Sequence, residues 1–332
     1  MTPATTPRFT AAEAERIGQL EYGLAATATA LPSERDQNFL LTTAPGEKFV
    51  LKLAKSDEER AVLDFQNAAL DWVAERAPRL AVPRLRPTVG GAGLTRVRDH
   101  AGREHYARLI GWLEGSMYAD SSPHGEPLLA SLGAVLGDLD RALQGFSHPA
   151  MRRALNWNVS CADLALEHLP LLSPEQQALV RGFMQSWHGL DWSALRHGVI
   201  HGDANDHNVL VRERKVVGLI DFGDIVYSAI ACDPAIAMAY AMMSRSQPLE
   251  AAVSVTRAYH ARFPLTAAEI DALYPLLTAR LCMSVCYAAY NARAKSDDAY
   301  QQVSAAPAWE LLRQLATVPP ETARALLRGA CE

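Results

Sequence analysis

The stretch Val199-Ile200-His201-Gly202-Asp203-Ala204-Asn205-Asp206-His207-Asn208-Val209-Leu210-Val211 leads through a charged Arg-Glu-Arg-Lys segment into a second apolar run, which ends in Asp221-Phe222-Gly223-Asp224. The two apolar runs, 209–211 and 216–220, flank the charged segment, and this pattern predicts two strands joined as a hairpin. Asp203 and Asn208 precede the first strand, and Asp221 follows the second. A hairpin therefore places the three polar side chains at the same end of a sheet.

Two carboxylates and an amide oxygen at one place are the groups that phosphoryl transfer needs. One carboxylate orients and deprotonates a hydroxyl, and two oxygen ligands hold Mg²⁺ on the nucleotide phosphates. The alternative is a hairpin whose Asp and Asn side chains only cap turns. Each residue alone fits either interpretation. The whole spacing favours the first, because His-Gly-Asp, an Asn five residues later and then Asp-Phe-Gly match the catalytic and metal-binding positions of kinases.

Size and composition describe an ordinary globular protein. The chain has 332 residues, enough for two lobes, with 49% hydrophobic and 21% charged residues. A net charge of -5 and a pI near 6.1 exclude a basic surface for nucleic acid or anionic membranes. Apolar stretches such as 236–243 are too short to span a bilayer, and the N-terminus lacks a signal pattern. These features favour a cytoplasmic protein with no nucleic-acid or membrane partner.

The five cysteines include no Cys-x-x-Cys pair. Cys161 and Cys232 have apolar neighbours in sequence, and Cys282 and Cys286 are one helical turn apart without nearby His or Cys partners. A zinc site is therefore not indicated. We interpret the cysteines as reduced packing residues.

The N-terminal third predicts a helix from Thr10 to Tyr22, then a hairpin whose second strand, 48–53, carries Lys52 among apolar residues. A lysine in an apolar strand needs a partner for its charge. Protection of an exposed sheet edge is one explanation, and alone it is slightly favoured. Together with the downstream carboxylates, binding of a phosphate by Lys52 is the better hypothesis.

A helix is predicted for 57–76, and its periodicity places Gln66 on the apolar stripe between Leu63 and Leu70. If this helix offers Lys52 a partner, its geometry favours Gln66 over Asp64, in place of the usual glutamate. Whether Gln66 or another residue pairs with Lys52 stays open. Four other polar residues of this helix are placed on the solvent side: Asp64, Asn67, Asp71 and Glu75.

Two more strands, 94–97 and 106–110, complete a small sheet. The segment 109–117 is the predicted hinge between the lobes, and an ordinary exit from the strand is an equally supported alternative from these residues alone. Domains of 1–110 and 111–332 follow. The second is mainly helical, with helices at 127–144 and 173–187, one opened by Asp233, and a last region divided at Pro264, Pro307 and Pro319.

The quoted residues resemble the aminoglycoside phosphotransferase / choline kinase superfamily of small-molecule kinases over about residues 15–300, and within it the hydroxylysine kinase-like phosphotransferases. The signature is His-Gly-Asp, an Asn five residues beyond the Asp, a hydrophobic strand and Ile-Asp-x-Gly. Further similar stretches are Asp36-Gln37-Asn38-Phe39, Phe49-Val50-Leu51-Lys52-Leu53, Arg108-Leu109-Ile110-Gly111-Trp112-Leu113-Glu114-Gly115 and Asn156-Trp157-Asn158.

The resemblance implies an α+β, bilobal, protein-kinase-like fold, with a small antiparallel-sheet N-lobe that binds nucleotide and a mainly helical C-lobe. It implies that Asp203 is the catalytic base and that Asn208 and Asp221 hold Mg²⁺. It also implies six nucleotide contacts. Lys52 is the phosphate-binding lysine, Ser33 and Asn38 belong to a glycine-poor phosphate loop, and Gln66 is the helix residue that faces the lysine. Trp112 and Leu113 belong to the hinge.

For the acceptor, Asp206 and Asp224 are exposed-loop candidates that would bind a substrate ammonium group, with turn capping as the alternative, and Trp157 is a candidate pocket residue. His201 is interpreted as orienting the loop. Asp233 resembles the acidic residue that opens the helix after the metal loop, and is interpreted as structural.

The implied activity is transfer of the γ-phosphate of ATP or GTP to a hydroxyl of a small amine or amino acid, with 5-hydroxylysine as the first candidate. Homoserine, a choline-like amino alcohol and an aminoglycoside are alternatives. An inactive kinase fold that binds a ligand is the alternative of another class. A protein kinase is disfavoured because no Ala-Pro-Glu segment follows Asp224. The oligomeric state, a homodimer included, stays open.

Overall fold

The computed structural model describes residues 5–33, 36–121, 125–293 and 305–332. The chain divides into two compact units. The first comprises Met1–Glu114 and His148–Ala150, and the second comprises Gly115–Ser147 and Met151–Glu332. The first unit is built on an antiparallel sheet and the second is mainly helical, so the predicted fold class is confirmed.

The sheet of the first unit has six strands, in the order β1-β2-β3-β6-β4, with β5 also paired to β6, and every pairing is antiparallel. The strands are β1 (Ala26–Leu31), β2 (Gln37–Thr43), β3 (Lys48–Leu53), β4 (Leu85–Arg86), β5 (Thr95–Arg98) and β6 (Glu104–Gly111). The sequence prediction missed β1, whose alternating Ala and Thr residues carry little apolar signal.

Helix α1 (Ala11–Tyr22) begins with the predicted capping box, in which Thr10 and Glu13 satisfy each other's backbone N–H groups. Its buried face packs with one side of the sheet, in a core that includes Phe39 and Leu51. Because side chains alternate along a strand, Lys52 points to the opposite face from its buried neighbours, as the alternation predicted.

Helix α2 (Arg60–Arg76) begins three residues later than predicted, because Glu58 N–H already closes a turn onto the carbonyl of Lys55. Gln66 is buried, as expected. Asn67 was predicted on the solvent side, and this was wrong, because Asn67 is buried. Its amide oxygen accepts from the buried Arg108, and its amide nitrogen donates to the carbonyl of Gly93. Helical periodicity identifies the apolar stripe but does not detect a buried polar partner beside it.

The second unit contains two small antiparallel sheets. One has the order β10-β9-β7, from β7 (Ser116–Met117), β9 (Val209–Arg212) and β10 (Lys215–Leu219). The other pairs β8 (His197–Ile200) with β11 (Val226–Ala229). The predicted hairpin is β9–β10, and its two central turn residues, Glu213 and Arg214, both have positive φ, as the tight two-residue hairpin turn requires.

The helices of the second unit form its core. They are α3 (Glu126–Leu143), α4 (Asp163–Leu166), α5 (Pro174–His188), α6 (Cys232–Met242), α7 (Pro248–Arg262), α8 (Ala267–Arg293), α9 (Ala305–Ala316) and α10 (Pro320–Gly329). The helix predicted to be separated at Pro307 begins at Ala305, and Pro307 lies in its first turn, where a missing N–H costs little. Helices α3 and α7 approach so closely that a Cβ on Gly133 would lie 2.2 Å from the carbonyl oxygen of Val255.

Helices α6 and α8 are apolar on nearly every side. By length and composition α8 is able to cross a membrane, which departs from the expectation that no segment approaches that length, but 94% of its most apolar part is buried inside the structure. We therefore interpret α8 as a core helix. All five cysteines are free, and Cys282 and Cys286 are buried in this helix.

Candidate active site

Asp203 is the central carboxylate of a loop between β8 and β9. Its Oδ2 accepts hydrogen bonds from Nδ2 of Asn205 and Nδ2 of Asn208, both at 2.9 Å. Asn208 Nδ2 also donates to the main-chain carbonyl of Asp203 at 2.9 Å. Asn205 Oδ1 accepts the backbone N–H groups of His207 and Asn208 at 2.8 and 3.1 Å. The two amides therefore hold the carboxylate and its loop in one conformation.

The loop is anchored from beneath by Asp233, a fully buried residue in the first turn of α6. Its two carboxylate oxygens accept the backbone N–H groups of His201 and Gly202 at 2.8 and 2.7 Å. The ring of His201 lies between the carbonyl of Ile220 (3.0 Å from Nε2) and the N–H of Asp203 (3.3 Å from Nδ1). These contacts are those of a loop-orienting histidine and a structural aspartate.

Gly202 allows the loop that contains Asp203 to lie against the loop that contains Asp224. Its φ of 78° is in the left-handed region, and a Cβ at this position would be 2.7 Å from the carbonyl oxygen of Asp224. Only glycine accommodates both features without strain.

Asp221 lies directly after β10, across the hairpin from Asn208. The N–H of Ile220 donates to the carbonyl of Asn208 at 2.9 Å, which places the two strand ends side by side. Asp221 has a φ of 57°, unusual for a residue with a side chain, and its Oδ1 accepts the N–H of Gly223 at 3.1 Å. Arg153 holds the same loop by donating to the carbonyls of Gly223 and Ile225. The hairpin thus brings Asp203, Asn208 and Asp221 together.

The donor set fits a magnesium ion. Because Asn208 uses its amide nitrogen on Asp203, its Oδ1 faces away from that carboxylate, at the end of the hairpin that carries the Asp221 carboxylate. Within the described ranges no three His, Cys, Asp or Glu side chains form a metal cluster. Mg²⁺ needs none, because it is usually held by one or two protein oxygens together with substrate phosphates and water.

Arg280, on α8, is the residue of this site that sequence reasoning missed. Its side chain is 2% exposed, and its Nη2 donates to Asp203 Oδ1 at 2.5 Å and to the hydroxyl of Tyr240 at 3.2 Å. Its Nη1 donates to the carbonyl of Trp157 at 3.2 Å. Burial disfavours its charge, but interactions with Tyr240 and Asp203 more than offset this and raise the pKa of Arg280.

The guanidinium of Arg280 also lies over the Trp157 ring, 4.5 Å from its centroid, and the ring of Tyr287 is 4.8 Å from Trp157. The expectation that Asp224 is an exposed residue was wrong: it is buried and lies within electrostatic reach of Arg280. Asp206 is half-buried and its carbonyl accepts the N–H of Ala119. The protein's own cation thus already interacts with Trp157 and Asp224.

In the first unit, three candidate nucleotide residues lie close together on the sheet and α2. Asn38 and Lys52 are directly paired across β2 and β3, and Lys52 is paired with Arg108 across β3 and β6. Arg108 Nη2 donates to Gln66 Oε1 at 2.5 Å, and its Nη1 donates to Asn67 Oδ1 at 3.0 Å. The Gln66 carbonyl therefore accepts from a buried arginine, a partner that the sequence interpretation did not anticipate.

The remaining candidates of the first unit lie apart from that group. Ser33 is exposed, and residues 34–35 of the predicted phosphate loop lie outside the described residues. Trp112 and Leu113 follow β6 and are half-buried, and the N–H of Trp112 donates to the carbonyl of Lys48 at 3.2 Å. The indole N–H of Trp112 is buried without a hydrogen-bond partner within the described ranges.

A second buried carboxyl, Asp140 on α3, lies beside the anchor Asp233. Burial, reinforced by the neighbouring Asp233 charge, raises the pKa of Asp140 well above its ordinary value. The hydroxyl of Tyr259 donates to Asp140 Oδ2 at 2.5 Å. The raised pKa favours a protonated Asp140 beside Asp233.

Comparison with known proteins places this geometry in a family. The model of the phosphotransferase enzyme family (APH) matches residues 27–274, well over half of the chain. Hydroxylysine kinase of Mus musculus is 26% identical over 341 residues, covering 93% of this chain and 90% of the relative. Hydroxylysine kinase of Danio rerio is 28% identical over 311 residues (87% and 86%). Homoserine kinase of Methylobacillus flagellatus is 28% identical over 235 residues (70% and 69%).

Solved structures agree on the fold. An amicoumacin kinase in complex with AMP-PNP, Ca²⁺ and Ami has a TM-score of 0.70 at 15% identity, covering 94% of this chain and 95% of that one. A microcompartment-associated aminopropanol kinase has a TM-score of 0.69 at 17% identity (97% and 95%). The resemblance inferred from the hairpin motifs is confirmed: the chain belongs to the phosphotransferase enzyme family, and its fold is that of small-molecule kinases.

Proposed function

We propose that this protein transfers the γ-phosphate of ATP or GTP to a hydroxyl of a small amine or amino acid, with 5-hydroxylysine as the first candidate. The observation that carries the proposal is the joint placement of Asp203, Asn208 and Asp221 at the end of one hairpin, fixed by the Asn208 amide and the Ile220 N–H. A carboxylate next to a pair of oxygen ligands is what phosphoryl transfer to an alcohol requires.

In this proposal Asp203 orients the acceptor hydroxyl and accepts its proton, while Asn208 and Asp221 hold Mg²⁺. The ion, when bound, neutralises charge on the nucleotide phosphates. The buried amides and Asp233 keep Asp203 in place without help from the substrate. This preorganisation supports an enzyme over an inactive binding module, which has no need for it.

The first unit is proposed to bind the nucleotide. Lys52 would contact the phosphates, with Asn38 as its cross-strand neighbour on β2. Gln66 would support this group by holding Arg108, and Trp112 and Leu113 would border the adenine or guanine ring. Ser33 would contribute from the phosphate loop.

The acceptor is proposed from the relatives together with the acidic and aromatic residues of the second unit. The two hydroxylysine kinases cover most of this chain, which favours an amino acid with a side-chain hydroxyl. Asp206 and Trp157 remain candidates to line the acceptor pocket. Asp224 interacts electrostatically with Arg280 and would influence the pocket only through that residue. Homoserine is the second candidate, because the bacterial homoserine kinase is also similar to this chain.

The test is acceptor-dependent release of ADP or GDP by the purified protein with Mg²⁺. The panel contains 5-hydroxylysine, homoserine, choline and an aminoglycoside, each with ATP and with GTP. The proposal predicts turnover with at least one hydroxylated amino acid and none with its dehydroxylated analogue, here lysine. Nucleotide binding without turnover on any acceptor would instead support the inactive ligand-binding module.

A further inference from the structure

Arg280 is a buried cation in direct contact with the carboxylate proposed to do the chemistry. It lies on α8, 77 residues away from Asp203 along the chain, and its Nη2 donates to Asp203 Oδ1 at 2.5 Å. The side chain of Arg280 is 2% exposed, whereas that of Asp203 is 18% exposed, so the carboxylate remains reachable from solvent.

The hydrogen bonds of Asp203 leave one place for an acceptor. An ionised carboxylate has about four lone-pair sites, two on each oxygen. On Oδ2 both sites are taken by the amides of Asn205 and Asn208. On Oδ1 one site is taken by Arg280. Among the described residues no other donor reaches this carboxylate, so the remaining site is on Oδ1, beside Nη2 of Arg280.

The guanidinium is itself held from several directions, so the position of Nη2 is determined by the fold. The hydroxyl of Tyr240 accepts from Nη2 at 3.2 Å, the carbonyl of Trp157 accepts from Nη1 at 3.2 Å, and the Trp157 ring covers one face. The carboxylate of Asp224 also attracts the same guanidinium electrostatically. A planar group with fixed donors orients a carboxylate more strictly than a flexible ammonium does.

We propose that Arg280 is the positioning residue of Asp203: it occupies one lone pair of Oδ1 and directs the acceptor hydroxyl to the other. This inference rests on the proposed phosphotransferase function and deepens it. In the step it supports, the acceptor oxygen forms a bond to the γ-phosphorus while the bond from phosphorus to the leaving nucleoside diphosphate breaks. The hydroxyl proton passes to Oδ1 of Asp203 and leaves to solvent afterwards.

The test compares Arg280→Met and Arg280→Lys with Arg196→Met. Arg196 is a matched control, because it also pairs with a buried carboxylate of the second unit, Glu269, at 2.6 Å, and does not touch Asp203. We expect Arg280→Met to lower kcat by about 100-fold, the effect of a misplaced catalytic group, with the nucleotide KM within about threefold of wild type. Arg280→Lys should recover part of kcat, and Arg196→Met should leave kcat within about threefold.

Two results would overturn the inference. One is an Arg280→Met protein that turns over like the Arg196→Met control. The other comes from thermal unfolding of Arg280→Met, Asp203→Asn and the double variant, which the pairing predicts to be non-additive. Additive effects would contradict the pairing even in a protein without activity. If Arg280→Met does not fold, Arg280→Lys decides, and a wild-type kcat in it contradicts the inference. Absence of turnover by the wild type on every acceptor would instead refute the proposed function.

Discussion

Asn208 donates its side-chain amide to both the carboxylate and the main-chain carbonyl of Asp203, at 2.9 Å in each case. In the proposed function the same residue fixes the base with its nitrogen and would hold Mg²⁺ with its oxygen. One amide group would then couple the positions of the base and the metal, so changes at the metal site are expected to affect both Mg²⁺ binding and turnover.

Replacing the proposed metal carboxylate should raise the Mg²⁺ requirement. For Asp221→Asn we expect the half-saturating Mg²⁺ concentration to rise on the order of 10–100-fold, the range seen when support of a bound metal is lost. A magnesium titration of the initial rate measures it. Asp191→Asn is the control, because Asp191 is an exposed aspartate that only caps a short turn. An unchanged magnesium requirement in Asp221→Asn would remove Asp221 from the metal site.

Replacement of Lys52 should raise the KM for the nucleotide and leave the KM for the acceptor unchanged. Loss of a hydrogen bond to a charged group costs about 1.5–3 kcal/mol, so Lys52→Ala should raise the nucleotide KM by roughly 10–150-fold. Lys55→Ala is the matched control, since the ion pairs that Lys55 makes among the described residues are with nearby Asp57 and Glu58. Equal nucleotide KM values for the two variants would contradict the proposed role of Lys52.

Two glycines give opposite predictions. Gly202→Ala forces a side chain into the left-handed region at about 1–2 kcal/mol and into contact with the Asp224 carbonyl, so both stability and kcat should fall. Gly182 is exposed inside α5, and a Cβ added to it would meet no atom within 4 Å apart from its own stretch of helix. Gly182→Ala should therefore raise the free energy of unfolding by about 1 kcal/mol. Denaturant titrations test both, and a neutral Gly202→Ala would show that the loops are not in close contact.

The buried Asp140 predicts a pH dependence of stability. Its pKa is raised above 3.8, so the folded state binds a proton that the unfolded chain releases. The contribution of this bound proton to the free energy of unfolding is complete below about pH 3.8, the ordinary pKa of the group, and is lost as pH rises towards the folded pKa. Over that range the free energy of unfolding falls by at most about 1.4 kcal/mol per pH unit. Asp140→Asn retains an acceptor for Tyr259 without the charge.

The free energy of unfolding of Asp140→Asn should therefore fall less steeply with pH than that of wild type, in denaturant titrations between about pH 5 and 8. Identical slopes in the two proteins would mean that Asp140 is ionised in the folded state.

The sequence predicted those parts of the molecule whose signals are local. The hairpin, its turn and the spacing from Asp203 to Asp221 are all contained in one short stretch, and strand alternation placed Lys52. Contacts between distant segments were missed. Arg280 is a single charge in an apolar run of α8, the same signal that singled out Lys52, but its partner is 77 residues away. Asn67 and Asp224 were misplaced because their buried partners are also remote in sequence.

The most direct test of the central claim is the rate at which Asp203→Asn, shown to be folded, phosphorylates the best acceptor of the panel at saturating nucleotide and Mg²⁺. If Asp203 is the base, the kcat of this variant is lower than that of wild type by on the order of 10²–10⁴-fold, with the nucleotide still bound. A folded Asp203→Asn protein with the wild-type kcat would contradict that role.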